Sequence, residues 1–415
     1  MGLIIDGHNI SDIYIGTVHI DKIFVGETLV YEQNKVLPLY FEAVDPSVES
    51  TISISQVTNG AYDPEQGTVV GYQEPSFEYS YNGTTWNAYT NGDTISIGDE
   101  NPARVYFRGD NNAHSWYDTS GSNKYIRPQF AITGGNVNSG GNIMSLLWTD
   151  ITTPRLTLPF DHTFMDLFSG CDKLVTPPEL PATTLQSYCY SRTFANCTAL
   201  KTAPELPAET LENYCYYYMF NGCSALESGP NKLPALTVGN YCYRNMFNGC
   251  SSMTEAPEIS ATSVGSYGCY SMFQGCTALT EAPDLKATTL GTYCYQNMFS
   301  GCTSLTKPTK LPATTLAGTC YKSMFTDCPL DYVPELPAIT VSGSAYRSMF
   351  SGSSSGIRAG ASQTANLPYA YRIPTTGTGT AGNNAMTAMF RNEDNSGTFV
   401  PTINTTFYVS KPILT

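Results

Sequence analysis

Along the second half of the chain, apolar positions fall in clusters four residues apart, and the whole cluster recurs at a fixed longer interval. Framed on one phenylalanine, it is centred on Phe168, Phe194, Phe220, Phe247, Phe273, Phe299, Phe325 and Phe350. The intervals are 26, 26, 27, 26, 26, 26 and 25 residues, a period that marks a repeat architecture. In the unit LKATTLGTYCYQNMFSGCTSL (285–305), Leu290, Cys294, Met298, Phe299 and Cys302 are spaced as one apolar face. That spacing predicts a short helix with its apolar side inward. Two residues after each Phe stands Gly170, Asn196, Gly222, Gly249, Gly275, Gly301, Asp327 or Gly352. These types accept the left-handed conformation that ends a helix. The LPATTL segments predict parallel strands with Thr stacked on Thr. In the APEL segments Pro204, Pro257, Pro283 and Pro334 have no N–H to donate, which predicts turns or a broken ladder there.

A helix of about two turns is unstable alone and must bury its face on neighbouring units. Residues 151–355 are therefore expected to form a right-handed α/β solenoid of roughly eight coils of about 26 residues. Its core ladder is expected to hold Phe194, Phe220, Phe247, Phe273, Phe299 and Phe325. Cys197, Cys223, Cys250, Cys276, Cys302 and Cys328, three residues after each Phe, stack with them. A second column, Cys189, Cys215, Cys242, Cys294 and Cys320, lies five residues before the Phe, with Cys269 displaced by one. All 13 cysteines of the chain sit between residues 171 and 328 at repeat spacing. Equivalent side chains of adjacent coils point the same way, so they read as small buried apolar residues and not as disulfides. No Cys-x-x-Cys pair or His-rich cluster accompanies them, so no metal is expected.

Two tyrosine columns flank the buried cysteines. Tyr190, Tyr216, Tyr243, Tyr295 and Tyr321 stand four residues before the Phe, and Tyr188, Tyr214, Tyr241, Tyr267 and Tyr293 stand six before it. On a helix both columns would lie half exposed on the convex side. The first is the candidate binding row for sugar or protein, the bland reading being rings that shield the helix flanks. One polar residue per unit (Glu179, Glu205, Asn231, Glu258, Asp284, Lys310 and Glu335) forms a further column that must be solvated.

The string Y-C-Y-x-x-M-F-x-G-C-x-x-L-x-x-A-P-E-L-P resembles the BspA-like leucine-rich repeat over residues 160–355. The Phe, the second Cys, the Leu and the Leu-Pro match that family directly. Cys takes the place of its Ile, Met the place of its Ala, and Ala-Pro-Glu-Leu the place of its strand. The resemblance implies a surface adhesion or interaction protein without catalysis.

The rest of the chain predicts a mainly β protein with short helices. Residues 1–34 carry Gly-punctuated alternating runs, Ile13–Val18 echoed by Ile23–Thr28, which predict a small module of two or three strands. About 34 residues cannot bury a core alone, so the module is expected to dock on other virion proteins, on copies of itself or on the next domain. Its pattern resembles the N-terminal attachment modules of phage tail and fibre proteins. Residues 35–150 predict a sandwich of about seven strands, with an Asn82-Gly83 hairpin turn and Trp86 and Phe107 in the core. The stretch 141–147 is expected to cap the first coil. Residues 356–415 form the other cap, with a degraded repeat at Met389-Phe390 and a strand over Thr398–Val409.

Charge and chemistry narrow the function. Lys and Arg number 21 against 35 Asp and Glu, a net charge of −14, which argues against nucleic acid. The opening residues lack a basic, apolar leader, and no segment has the length and hydropathy of a membrane span, so assembly in a cytoplasm without membrane insertion is expected. No P-loop, G-x-S-x-G or H-E-x-x-H occurs. His8, His19, His114 and His162 are scattered, and Asp63–Gly67 reads as a turn and not a cation loop. No catalytic residue or cofactor is expected. The expectation is a structural phage virion protein, a fibre or surface decoration of the tail more than of the head, attaching to a host glycan or protein. A BspA-like adhesin on a bacterial cell surface is the alternative, and an accessory module of a carbohydrate-active enzyme a third reading.

Overall fold

The computed structural model describes residues 36–58, 75–112, 126–352 and 356–414, with the backbone of six short strands inside residues 3–32. Those six form three antiparallel hairpins. They are β1 (Leu3–Ile5) with β2 (His8–Ile10), β3 (Tyr14–Ile15) with β4 (Val18–His19), and β5 (Lys22–Val25) with β6 (Thr28–Glu32). His114 and Asp63–Gly67 lie outside the described residues.

Two sheets follow. One contains β7 (Leu39–Ala43), β9 (Phe77–Ser80), β10 (Asn87–Tyr89), β12 (Arg104–Gly109) and β14 (Val137–Gly140). The other is β8 (Ser50–Thr58), β11 (Thr94–Ile97) and β13 (Ile126–Gly134). Alternation is strict on β7 and β12, so Leu39, Phe41, Val105 and Phe107 are fully buried between the sheets. Trp86 departs from the expectation. It lies partly exposed beneath the Arg108 guanidinium, 4.1 Å from the ring centre, because it precedes β10 in the loop and not on an inward strand position. The turn also differs. Asn82 Oδ1 accepts from the N–H groups of Thr84 and Thr85, so an Asn-nucleated loop joins β9 and β10 in place of a two-residue turn.

The first sheet continues into the repeats. β15 (Leu174–Thr176) pairs parallel with β14, and the core runs through both without a break. Among the described residues the one helical element is the buried 3-10 turn Ile143–Leu146, capped by the Asn142 side chain. The Ile143 N–H donates to the Glu179 carbonyl, so the 141–147 stretch does cover the start of the repeats.

The short helix expected in every repeat is absent. Its place is taken by a rung of successive turns, with a left-handed residue every fourth position. In one repeat these are Tyr188 (φ 60°), Arg192 (φ 57°) and Asn196 (φ 61°); in the next, Tyr214, Tyr218 and Gly222. A helix advances about 100° per residue, so a strict step of four overshoots a full turn by about 40°. The apolar positions therefore drift off one helical face within three steps, yet they match a four-residue turn perfectly. Two residues face in and two face out, as in Cys215-Tyr216 against Tyr217-Tyr218.

Backbone pairing in these rungs alternates. The N–H groups of Tyr190, Arg192, Phe194 and Asn196 donate to carbonyls of the next rung, at Cys215, Tyr217, Met219 and Asn221. The N–H groups of Ser191, Thr193, Ala195 and Cys197 instead donate three residues back within the rung. Every second amide thus holds the turn, and the amides between them hold the stack, which leaves this buried backbone fully paired. The Thr columns behave as expected. Thr157, Thr184, Thr210 and Thr237 are bridged in parallel, followed by Thr237–Val238, Ser263–Val264 and Thr289–Leu290. The APEL segments give only isolated bridges and two-residue strands.

The phenylalanines form an unbroken column from Phe130 on β13 through Phe168 and each repeat to Phe390. Neighbouring ring centres are 5.0–5.9 Å apart. The column ends where Phe407 meets Phe390 at an angle. The final strand splits into Thr398–Phe399 and Phe407–Val409.

Candidate functional site

The left-handed turn decides which tyrosines reach solvent. Tyr190, Tyr216, Tyr243, Tyr295 and Tyr321, expected half exposed, are each about 1% exposed and stack inside the core. Burial pushes their phenols well above the ordinary value. They are core residues, because the position after the inward cysteine also points inward on a four-residue turn. The core ladder of Phe194, Phe220, Phe247, Phe273, Phe299 and Phe325 lies at full burial as expected.

All 13 thiols are free and buried. Their place has a specific cause beyond size. Cys223 Sγ donates to the Phe194 carbonyl at 3.0 Å, and Cys250, Cys276, Cys302 and Cys328 repeat the bond to the Phe of the preceding rung. Cys171 makes the same bond to Phe130. The column needs a small residue with a donor, which Cys supplies and Ala does not.

The exposed aromatic row is the other column. His162, Tyr188, Tyr214, Tyr241, Tyr267 and Tyr293 form a half-exposed stack with ring centres 4.6, 4.2, 4.5, 4.9 and 4.6 Å apart and planes within 9°. Each of these residues has a φ of 57–62°. Beside the row lie Tyr217, Tyr218 and Tyr270, whose rings tilt by 44–64° against their neighbours and so turn away from the stack. Arg244 stands among them, its guanidinium carbon 5.9 Å from the Tyr217 ring centre, 5.6 Å from Tyr241, 5.4 Å from Tyr267 and 4.9 Å from Tyr270.

Tyr217, Arg244 and Tyr270 occupy one repeat position, three before the Phe. The same position holds Ser191, Gln296 and Lys322 in other repeats. Ser191 and Gln296 are buried there while Tyr217, Arg244, Tyr270 and Lys322 are half-buried, and the variation inside a strict repeat was the available signal for these residues.

At the base of the row, Asp166 is 2% exposed and bridges Arg127 Nη2 at 2.7 Å and Arg192 Nε at 2.9 Å. Burial pushes the Asp166 carboxyl upward, and the pull of Arg127 and Arg192 opposes it. The polar column on the other segments is exposed, with Glu258 between Lys232 and Lys286 and Glu205 accepting from Asn231.

Among the described residues no three His, Cys, Asp or Glu side chains are grouped to hold a metal ion, and no helix is long and apolar enough to cross a membrane. Comparison with protein-family models, with curated proteins and with solved structures gives no match.

Proposed function

We propose that this chain is a structural phage virion protein, a fibre or surface-decoration component, that attaches to the host surface through its repeats, which we read as a leucine-rich-repeat-like solenoid. The observation that carries the reading is the exposed tyrosine row. A bulky residue in the left-handed region costs about 1–2 kcal/mol, and Gly, Asn or Asp take most equivalent positions after the Phe. The fold does not require tyrosine there. Thr319 (φ 63°) and Ser344 (φ 60°) hold the same turn in later repeats without an aromatic ring. Five consecutive strained tyrosines facing solvent therefore point to selection for contact with something outside the chain.

Two further features support the reading. The free, buried thiols suit assembly in a reducing compartment. Three hairpins within about 34 residues bury too little surface to stand alone, which suits a docking module joined to other virion proteins.

The test borrows the chain's own later repeats. Tyr214→Ser, Tyr241→Ser and Tyr267→Ser combined should leave the chain folded with a lowered melting transition, since Ser344 already occupies this turn while four stacked ring contacts are lost. The triple variant should lose binding to bacterial cells in a sedimentation assay, while antibodies to the chain label phage particles in electron micrographs. Wild-type protein that binds no cells and labels no particle would remove the proposal. Label on the bacterial surface in uninfected cultures would favour a cellular adhesin.

A further inference from the structure

We infer that Arg244 and the tyrosines around it form a recognition site for the carboxylate of an acidic sugar, an inference that rests on the attachment reading and names the class of its ligand. The argument begins with the arginine. In a chain of net charge −14, Arg104, Arg108, Arg127, Arg192, Lys232, Lys286, Lys307 and Lys411 each stand against a carboxylate. Arg244, like Arg155, Arg347, Arg358, Arg372 and Arg391, has no ion pair among the described residues, and it is set apart by the four rings around it. It lies between Tyr217 of the preceding rung and Tyr270 of the following one, with Tyr241 and Tyr267 alongside. Its Nε is buried without a hydrogen-bond partner.

A cation held in this way is pre-organised. The four surrounding rings restrain the guanidinium and leave its Nη groups able to donate. A carboxylate meets those groups with two parallel hydrogen bonds. The Nε is buried out of a ligand's reach, so the two Nη groups make that contact.

The surroundings favour a sugar over an acidic peptide. The tilted rings of Tyr217, Tyr218 and Tyr270 offer aromatic planes to the C–H face of a pyranose. Asn221, Asn248 and Gln274 line the next position out on the same rungs, with Asn248 Nδ2 donating to Gln274 Oε1, and amides of this kind complement sugar hydroxyls. An acidic peptide would offer the same carboxylate but no C–H ring face for these aromatic planes.

The experiment uses the full chain and isothermal titration with uronate oligomers prepared from alginate and polygalacturonate. Dextran oligomers of equal length serve as the neutral control and poly-glutamate as the acidic peptide. The uronates should bind, more weakly as salt is raised. Arg244→Gln should lose affinity by about tenfold or more, the loss of one bidentate charged contact. Arg244→Lys, which keeps the charge but not the fork, should fall between. A melting transition equal to wild type in both variants excludes misfolding, and Tyr270→Leu, which removes the ring without touching the charge, should also weaken binding. Equal uronate binding by Arg244→Gln and wild type would overturn the site, as would equal binding of dextran or tighter binding of poly-glutamate. If Arg244→Gln still binds cells as wild type does, the acidic-sugar site falls and attachment stands; if wild type binds no cells, attachment itself falls.

Discussion

Phe273 sits at the middle of the phenylalanine column, and its replacement by alanine tests the stacking directly. Its ring lies 5.5 Å from Phe247 and 5.6 Å from Phe299, with planes within 5° of both, and none of it is exposed. The surrounding backbone is held on both sides. The Phe273 N–H donates to the Met298 carbonyl, and the Phe273 carbonyl accepts from the Cys276 N–H and from Cys302 Sγ. A site pinned in this way cannot collapse onto the space left behind. Phe273→Ala should therefore cost about 4–5 kcal/mol, the upper part of the range for buried Phe→Ala changes. Phe273→Leu keeps most of the volume and should cost roughly 1.5 kcal/mol. Tyr267→Ser is the control on the outer row. It loses two ring contacts of about 0.5–1.5 kcal/mol each and keeps the left-handed strain, since Ser also carries a Cβ, so the net cost should be about 1–3 kcal/mol. Urea unfolding followed by near-ultraviolet circular dichroism would measure all three, with constant m-values as the check that one transition is compared. If Phe273→Ala costs less than about 2 kcal/mol, or no more than Tyr267→Ser, the column is not the core that this reasoning requires.

Other expectations follow from the same geometry. Native protein at pH 8 should leave all 13 thiols unreactive to a thiol reagent, and denatured protein without reductant should expose all 13; protected pairs after denaturation would contradict the free-thiol ladder. Burial raises Cys171, Cys223 and Cys302 from the ordinary value of 9.0 to about 12, so only the unfolded chain releases those protons in that window. Stability should be fully present below pH 9 and fall steadily as pH climbs toward 12, which a pH series of melting temperatures would show. Asp166→Asn keeps a side chain suited to the φ of 58° but leaves Arg127 and Arg192 without their shared carboxylate; it should cost about 3 kcal/mol, and an unchanged melt would mean that the bridge contributes little. Deleting residues 1–34 should leave the main melting transition in place while abolishing self-association or incorporation into particles, as sedimentation would report.

Much of the fold was legible because the repeat is strict. The Phe and Cys columns, the Thr ladder and the broken APEL ladder can all be read from positions that recur at one interval. The rung itself was misread for a physical reason. Apolar steps of four suit a helix over one turn, and only their persistence without a step of three distinguishes a four-residue turn. The left-handed residues would have settled it had they been glycines throughout, but the strained positions hold Tyr188, Arg192, Tyr218 and Ser271, types that carry no such signal. The same reading puts both tyrosine columns outside, whereas Tyr190 turns in and Tyr188 out. Trp86, expected in the core, lies in the loop before β10 and is partly exposed there.

The alternating amides give the stack a direction, and that direction explains its ends. Each rung of turns donates toward the C-terminal side and accepts from the N-terminal side, while amides of the Thr ladder such as Gly265 and Gly291 donate back to Val238 and Val264. An uncovered first rung would present carbonyls, and an uncovered last rung would present N–H groups; two such ends are complementary and would join copies head to tail. The chain closes each end with the group it needs. At the first rung β13 supplies donors, the Phe130 N–H to the Leu167 carbonyl at 2.8 Å and the Gln129 amide to the Ser169 carbonyl at 2.6 Å. At the last rung Phe390–Arg391 pairs back with Thr398–Phe399, and the Asn392 N–H finds the Gly397 carbonyl. Phe130 and Phe407 cover the two ends of the ring column at the same places. The sandwich is thus a donor-bearing lid as well as a separate pair of sheets, and closing the two ends leaves open the side of the rungs, where the half-exposed tyrosines stand.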